Sequence, residues 1–382
     1  MPRIPVETAH ASYEVVVEAG ALERAGEWIQ PLTGRRRLFV VADPQAWRHQ
    51  GERFRVGLAG LDHTVLELQA GEENKRLSQV ESLAERMYAA GADRSGCVLA
   101  FGGGIAGDVG GFLAASYMRG VDAIQIPTTL LAQVDAAIGG KTGVNLASGK
   151  NLVGAFHQPR LVLIDPTTLS TLPDREFRAG LFEVIKHGVI WSTKLFELMA
   201  AGRKEVLARE PNILEAIISE SVRIKAEVVK ADEREGDLRR ILNYGHTLGH
   251  ALEAETSYRV LLHGEAVAYG MIAAGRLAEA TGLLAADARL KIEQTMRAYG
   301  PLPDPGEVSP EKLVARISGD KKTVGGRVHF VLADRIGHVR VVTNPPRDAV
   351  LEAAAGALEA LREGAASRQA GRLPVVGGVK AE

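Results

Sequence analysis

The stretch Phe101-Gly102-Gly103-Gly104-Ile105-Ala106-Gly107-Asp108 lies between an apolar run and a segment with a helical pattern. Glycines at 102, 104 and 107 satisfy the spacing G-x-G-x-x-G in a strand-to-helix context. Because glycine has no side chain, backbone N–H groups there can approach a pyrophosphate at the start of a helix. The motif predicts a dinucleotide site, with a tight turn as the alternative. Its position after about the fourth predicted strand is unusual, because the common dinucleotide fold carries it after the first.

Outward from this loop, short β-branched runs alternate with helical patterns through the first half of the chain. That alternation favours a mostly parallel sheet covered by helices. From about residue 174 to 300 the patterns are helical, and a β pair and an Ala-rich helix near Ala349–Leu361 follow. The predicted strands are Tyr13–Val17, Leu38–Val41, Thr64–Leu68, Cys97–Phe101, Ala123–Ile126, Leu161–Ile164, Val328–Leu332 and His338–Val342.

The length of 382 residues indicates two domains. We expect an α/β domain over residues 1–172 and a mainly helical domain over 173–363. Residues 364–382 are rich in Gly, Ala and basic side chains, so we expect a disordered tail.

Composition restricts the partners. A net charge of −1 provides no global field for nucleic acid, so any anion site must come from a local cluster of bases. The one cysteine, Cys97, is predicted to be a buried core residue, which fits a reducing compartment. No secretory signal and no apolar run of about 18 residues is visible. We expect a cytoplasmic protein with no membrane or nucleic-acid partner.

Hydroxyls and lysines that could bind an anion follow the glycine loop. Thr128 and Thr129 come directly after another predicted strand, and Lys141 lies among glycines in the run Gly139–Asn145. Lys150 and Asn151 come shortly after. The P-loop spacing fails, but a lysine among glycines can act as a point charge for phosphate. Solvated surface lysines are the alternative for each one singly.

Histidines and a carboxylate in the helical half suggest a metal site. His246 and His250 are four residues apart and share one helix face, and His263 opens another helical run. Catalytic sites commonly use three protein ligands, so a carboxylate is needed, and Glu183 lies in an apolar helix where a lone charge would be costly. His187 could share its face. Spacing alone leaves open which of these five residues bind metal.

In one consistent order from about Thr33 to Thr343, these motifs resemble the 3-dehydroquinate synthase family, in the sugar phosphate cyclase superfamily. The resemblance implies an N-terminal Rossmann-like NAD-binding domain and a mainly helical C-terminal metal-binding domain. The motifs that carry it are Gly102–Asp108, Pro127-Thr128-Thr129, Gln133-Val134-Asp135, Gly140-Lys141-Thr142, Gly149-Lys150-Asn151, Glu183–Lys186, Asn243–Glu253 and His263-Gly264-Glu265.

The resemblance also implies roles for individual residues. Glu183, His246 and His263 match the metal ligands, zinc or cobalt, and His250 matches a histidine that moves protons. The positions that match substrate-binding or catalytic residues are Arg119, Asp135, Lys141, Asn151, Lys186, Lys225, Arg239, Asn243 and one of Lys321 or Lys322. The positions that match NAD contacts are Asp43, Gly71, Glu72, Lys75, Gly103, Gly104, Ile105, Ala106, Gly107, Asp108, Thr128, Thr129, Lys141, Lys150, Thr168, Leu169, Ser170 and Thr171.

The implied activity is that of a carbon–oxygen lyase acting on 3-deoxy-D-arabino-heptulosonate 7-phosphate, in the shikimate pathway to chorismate and aromatic amino acids. NAD⁺ oxidises a hydroxyl, phosphate leaves by β-elimination, NADH returns the hydride, and an intramolecular aldol closes the carbocycle to 3-dehydroquinate. The alternatives are a valiolone or inosose synthase, a metal- and NAD-dependent polyol dehydrogenase, and a non-enzymatic NAD-binding module. The family implies a homodimer.

Overall fold

The computed structural model describes residues 2–319 and 328–370, which divide into two compact units, Met1–Leu242 and Asn243–Glu382. The strands of the first unit are β1 (Arg3–Glu7), β2 (Ser12–Val17), β3 (Leu38–Ala42), β4 (His63–Glu67), β5 (Cys97–Gly102), β6 (Asp122–Pro127), β7 (Lys141–Leu146), β8 (Gly149–Phe156) and β9 (Leu161–Ile164). Its helices are α1 (Gly26–Thr33), α2 (Pro44–Gly57), α3 (Leu77–Ala89), α4 (Gly104–Ser116), α5 (Asp174–Ile190), α6 (Thr193–Ala201), α7 (Arg203–Leu207) and α8 (Pro211–Ala231).

Seven strands of the first unit form one sheet in the order β1-β2-β9-β6-β5-β3-β4. All neighbours are parallel except β1 and β2. Strand β3 is buried on both faces: Leu38 and Val40 join one apolar cluster, and Phe39 and Val41 join the other. Strands covered on both faces read as continuous apolar runs, which is why the sequence pattern located them well. Cys97 is buried in this core, as predicted.

Three strands were not predicted. Strand β1 precedes the first predicted strand, so the glycine loop follows the fifth strand of the chain and not the fourth. The pattern missed β1 because it is a five-residue edge strand in which only alternate residues are buried. Strands β7 and β8 form a separate antiparallel hairpin. Their sequence is rich in glycine and polar residues, which are depleted in strands, so the pattern resembled a loop.

Helices α5 to α8 belong to the first compact unit. Helix α8 packs against β1 and β2, and α5 packs against a π-helical turn, Ala132–Ala136. The predicted boundary after residue 172 lies just before α5, whereas the division by packing lies at Leu242, because these helices cover the sheet edge. A functional domain boundary near residue 172 stays a prediction.

The second unit is built around one buried helix. Helix α10 packs against α9, α11, α13 and β10, and nearly all of its residues are buried. Its hairpin pairs β10 with β11 in antiparallel register. The elements of this unit are α9 (His246–Glu255), α10 (His263–Ala280), α11 (Ala286–Tyr299), α12 (Pro310–Gly319), β10 (His329–Arg335), β11 (His338–Thr343) and α13 (Arg347–Ala370).

Two expectations fall near the ends of the described ranges. The tail predicted from residue 364 begins as a continuation of α13, which runs to Ala370, while residues 371–382 lie outside the described residues. Lys321 and Lys322 also lie outside them. Over residues 2–319 and 328–370, no helix combines the length and apolarity that a bilayer crossing requires.

Candidate active site

The glycine loop lies at the carboxyl end of the parallel sheet. Gly102 ends β5 opposite Pro127 of β6, and Thr128 N donates to Gly102 O over 2.9 Å. The threonines that follow β6 are therefore neighbours of the glycine loop, as the sequence suggested. Gly102 has φ of +148°, and a Cβ there would lie 2.7 Å from the Asp43 Cβ, so only glycine fits.

The start of α4 suits a pyrophosphate. Gly103 is the N-cap residue and no side chain caps this helix within the described residues. A Cβ on Gly104 would make only ordinary contact, 3.5 Å from the Ala136 Cβ, so the packing of the protein does not require glycine there. Its absence of a side chain leaves the helix N-terminus open to a ligand. At Gly107 a Cβ would lie 2.9 Å from Gln125 Oε1, so packing also favours a glycine there.

Other predicted NAD residues lie in turns of the same unit. Asp43 is the N-cap of α2 and accepts from Gln45 N and Ala46 N, each over 3.0 Å. Thr168 lies in a 3-10 turn, Pro166–Thr171, and its Oγ1 accepts from the buried Gln133 Nε2 over 3.0 Å. Asp43 and Thr168 therefore both make contacts that shape the local backbone.

Lys75 connects residues from both predicted binding sets. Its ammonium group is buried, pairs with the Asp108 carboxylate and donates to Asn151 Oδ1 over 2.6 Å. Burial raises the pKa of Asp108 above its usual value, although Lys75 opposes the shift. A predicted NAD contact and a predicted substrate contact thus share one buried lysine.

The buried cations Lys225 and Arg239 form a charge cluster with Asp135, whose side chain is partly buried. Lys225 Nζ lies 2.6 Å from Asp135 Oδ1. Burial raises the pKa of Asp135, but Lys225 and Lys186 outweigh it and hold the pKa well below its usual range. Burial lowers the pKa of Lys225 to about 8, with Asp135 opposing and Arg239 adding to the fall. Shifted pKa values in a cluster of neighbouring charged groups are typical of functional sites.

Helix α5 carries Glu183 and, one turn later, Lys186. Glu183 and Lys186 are both buried and form an ion pair. Each of Asp135, Glu183 and His187 offers an atom within 4.8 Å of the others. Burial lowers the pKa of His187 to about 3, so its ring is neutral. In this structure the carboxylates of Asp135 and Glu183 each have a lysine partner, Lys225 and Lys186, and the role of His187 stays a prediction.

The second unit brings three histidines together. His246 begins α9, His250 lies one turn later, and His263 begins α10. Their ring centroids are 5.2, 5.3 and 5.8 Å apart, and one nitrogen from each lies within 4.8 Å of the others. Gly245 permits this approach, because its φ is +80° and a Cβ would lie 2.8 Å from Val267 O.

Hydrogen bonds orient two of these rings. His246 Nδ1 lies 3.1 Å from Tyr244 O, and His263 Nδ1 lies 3.3 Å from Glu253 Oε2. Metal-bound histidines usually direct their second nitrogen to a carbonyl or carboxylate in this way. Imidazole nitrogens suit zinc and cobalt, so the cluster fits a divalent metal. The centroid distances by themselves admit all three histidines, and the exclusion of His250 stays a prediction.

Two other predicted site residues, Arg119 and Lys141, are exposed residues of the first unit. Arg119 is exposed after α4 and makes no side-chain hydrogen bond or ion pair within the described residues. Lys141 pairs with Glu235. Glu183 belongs to the first unit, whereas Asn243 and the three histidines belong to the second.

The sequence interpretation missed residues that support predicted site residues, among them Glu235, Asn145 and, through Gly139, Tyr13. Tyr13 Oη accepts from Gly139 N over 3.0 Å, and Gly139 O accepts from Arg239 Nη2 over 3.2 Å. Asn145 already stood in the glycine-lysine run, but no local pattern indicates that its side chain is buried. These contacts join positions far apart in the chain, so periodicity could not reveal them.

Two family models match consecutive parts of the chain. The model described as 3-dehydroquinate synthase N-terminal matches residues 65–179, and the model described as 3-dehydroquinate synthase C-terminal matches residues 180–323. The 3-dehydroquinate synthase of Solibacter usitatus (strain Ellin6076) is 54% identical over 358 residues, which are 94% of this chain and 100% of that protein.

Solved structures agree in fold over most of the chain. The 2-epi-5-epi-valiolone synthase from Streptomyces hygroscopicus subsp. jinggangensis 5008, with NAD⁺ and Zn²⁺ bound, has a TM-score of 0.84 and 31% identity, covering 91% of this chain and 97% of that one. A 2-deoxy-scyllo-inosose synthase in complex with carbaglucose-6-phosphate, NAD⁺ and Co²⁺ has a TM-score of 0.83 and 27% identity, covering 92% and 99%.

Proposed function

The chain belongs to the 3-dehydroquinate synthase family and is a carbon–oxygen lyase, and we propose that it converts 3-deoxy-D-arabino-heptulosonate 7-phosphate to 3-dehydroquinate and phosphate. Its ligands for a divalent metal are Glu183, His246 and His263. The oriented rings of His246 and His263 support these two ligands, and the resemblance to the family supports Glu183. When bound, NAD supplies a hydride acceptor that is regenerated within the cycle, and the metal supplies a Lewis acid for the substrate hydroxyls.

The NAD site is formed by the carboxyl ends of β5 and β6. The uncapped start of α4 at Gly103 binds the pyrophosphate, and the hydroxyls of Thr128 and Thr129 lie beside it. The loop Gly71–Lys75 and the turn Pro166–Thr171 provide further contacts. Both related cyclase structures contain NAD⁺, which supports an NAD site in this fold.

The side chains of the protein handle the charges and protons of the reaction. Lys225 and Arg239 are buried cations that bind substrate oxyanions, and Asp135 keeps Lys225 in place. Lys141, Lys186 and Asn151 extend this set. His250 moves the proton of the hydroxyl that is oxidised, because a histidine titrates close to neutral pH. Positive charge fixed around the phosphate stabilises it as it leaves.

The observation that carries this function is the buried group of bases in a chain whose net charge is −1. A polyol dehydrogenase has no anion that would require it. The related cyclases are the stronger alternative, and against them stands the 54% identity to a 3-dehydroquinate synthase, compared with 31% and 27% to the cyclases. A substrate carboxylate also gives a use to Lys225, Arg239 and Asn243.

Phosphate release tests the proposal. The purified protein with NAD⁺ and zinc or cobalt is given the heptulosonate phosphate or sedoheptulose 7-phosphate, which lacks the carboxylate. We expect phosphate release and 3-dehydroquinate from the first substrate only. Turnover of sedoheptulose 7-phosphate alone would identify a cyclase of the other kind.

Location and assembly are further parts of the proposal. A homodimer in the cytoplasm fits the family and the single buried cysteine. Light scattering of the purified protein measures its oligomeric state, and fractionation of the source cells measures its location. A monomer, or recovery outside the cytoplasm, would contradict them.

A further inference from the structure

An irregularity in the β7–β8 hairpin lies beside a predicted substrate residue. Val144 pairs with Val153 and Leu146 pairs with Gly149, so Asn145 stands opposite three residues, 150–152. Within this bulge Asn151 has φ of +54°. Bulges leave backbone groups without ladder partners and commonly redirect side chains next to active sites. A residue that stabilises this bulge therefore sets the direction of the Asn151 side chain.

Asn145 is that residue. Its Oδ1 accepts from Asn151 N over 2.8 Å, which supplies the partner that the ladder lacks. Its Nδ2 donates to Glu72 Oε1 over 2.8 Å and to Glu72 O over 3.3 Å. Its backbone N donates to Lys75 O over 2.8 Å. The side chain is 6% exposed, and both ends of its amide are used.

Lys75 closes a ring of contacts. Asn145 joins the loop Gly71–Lys75 to Asn151 through its amide, and Lys75 Nζ returns to Asn151 Oδ1. Asn151 is thus held at its backbone by Asn145 and at its side chain by Lys75. A shift of the loop moves both holding groups together, because Asn145 N is bonded to Lys75 O.

We propose that Asn145 is a positioning residue that couples the NAD loop Gly71–Lys75 to the substrate residue Asn151. This inference rests on the proposed function, which assigns Glu72 and Lys75 to NAD and Asn151 to substrate. Occupation of the NAD loop fixes Glu72 and Lys75, and through Asn145 it fixes Asn151 in its left-handed conformation. Coupling is reciprocal, so substrate also tightens NAD binding by the same factor.

Calorimetry of NAD⁺ binding measures the coupling directly. The dissociation constant is determined for the full-length, metal-loaded protein with and without a phosphonate analogue that also lacks the hydroxyl oxidised by NAD⁺, so that neither hydride transfer nor elimination occurs. The ratio of the two constants is the coupling factor. In wild type we expect the analogue to tighten NAD⁺ binding. In Asn145→Asp, a carboxylate faces Glu72 and the hydrogen bond between them is lost. We expect the coupling factor to fall about tenfold, or to reach one if its wild-type value is below ten.

A reversal of the hydrogen bond separates coupling from damage. In the double variant Asn145→Asp with Glu72→Gln, the amide of residue 72 can donate to the carboxylate of residue 145, while Asn151 N keeps its acceptor. We expect the factor to return to that of Glu72→Gln alone. Asn145→Ser, which is too short to reach both partners, gives a second loss. Tyr88→Phe, at a residue that is 68% exposed on α3 and outside the hairpin, is the control that leaves the factor unchanged.

The outcomes are distinct. A wild-type factor of one, or an unchanged factor in both Asn145 single variants, overturns the coupling. A lower melting temperature with an unchanged factor assigns Asn145 a purely structural role and also overturns it. Failure of the proposed function appears elsewhere: wild type would not bind NAD⁺ or the analogue, or Asn151→Ala would bind the analogue as tightly as wild type.

Discussion

Lys225 and Asp135 form an ion pair in which the buried ammonium group of Lys225 bonds both the side chain and the backbone of Asp135. Lys225 Nζ lies 2.6 Å from Asp135 Oδ1 and 2.5 Å from Asp135 O. The two residues are 90 positions apart, on α8 and on the π-helical turn after β6. The charges that face Lys225 are Asp135, Arg239 and Lys186. This arrangement holds a cation with a lowered pKa where we propose that substrate binds.

The pH profile of kcat/KM should therefore contain a break from Lys225. Its pKa of about 8 means that the ammonium form, which binds an anion, is fully present below pH 8 and is lost above it. We expect kcat/KM to fall as the pH rises through about 8, since this ratio reports groups of the free enzyme. Steady-state kinetics at fixed ionic strength on either side of pH 8 measures the break.

Two variants test the assignment of that break. Lys225→Arg keeps its charge at every pH used, so the break should vanish even if the rate is lower. Asp135→Asn removes the carboxylate that supports the charge, so the break should move to lower pH. A break that stays in place in both variants would assign it to another group.

Metal content should distinguish His250 from His263. We expect His250→Ala to keep its metal and lose most turnover, because His250 moves a proton and is not a ligand. His263→Ala should lose the metal together with the ring that Glu253 orients. Mass spectrometry of the purified, dialysed variants measures metal per chain. Equal loss from both variants would show that the ligand set is wrong, since one nitrogen from each of the three rings lies within 4.8 Å of the others.

Removal of the Tyr13 hydroxyl should weaken substrate binding without unfolding the protein. In Tyr13→Phe the Gly139 N–H loses its acceptor, and Gly139 O is the group to which the Arg239 guanidinium donates. We expect KM to rise about three- to tenfold and kcat to change less, because a buried donor without a partner costs about 1–3 kcal/mol. Kinetics and urea unfolding measure both effects. Tyr88→Phe, at a residue that is 68% exposed, is the control. Unchanged KM would separate Tyr13 from Arg239.

A stability prediction concerns the second unit alone. Glu293 is buried and accepts hydrogen bonds from Arg276, Arg289 and Arg297. Burial raises its pKa, but Arg297 and Arg276 outweigh it, so the pKa is lowered. Its stabilisation is present above the ordinary value of 4.5 and is lost as the pH falls through the lowered pKa. We expect Glu293→Gln to lose about 2 kcal/mol at neutral pH, with unchanged kcat.

Chemical unfolding at neutral and acidic pH checks this loss. Glu279→Gln is the matched control, because Glu279 is more exposed and bonds Arg289 alone among the described arginines. Its effect should stay within about 0.5 kcal/mol, as for exposed pairs. A loss for Glu293→Gln that persisted unchanged at low pH would show that its charge is not the cause.

The sequence by itself determined the central strands, the glycine loop and the short-range parts of the site. The runs at Leu38–Ala42 and Cys97–Gly102 are apolar on both faces, and local hydrophobicity reports that burial directly. His246 and His250 are one helical turn apart, a spacing that any helix converts into proximity. The resemblance to a family then supplied roles that spacing had left open.

Only the tertiary structure decided the contacts between distant positions. Each of three contacts joins segments far apart in the chain: the pairing of Lys225 with Asp135, the support of Arg239 by Tyr13 through Gly139, and the bond from Asn145 to Glu72. The polar β7–β8 hairpin carries no hydrophobic alternation, so its strands and its bulge appear only when the backbone pairs. Local periodicity records which side of an element is buried, whereas the partner of a buried polar group depends on how the whole chain packs.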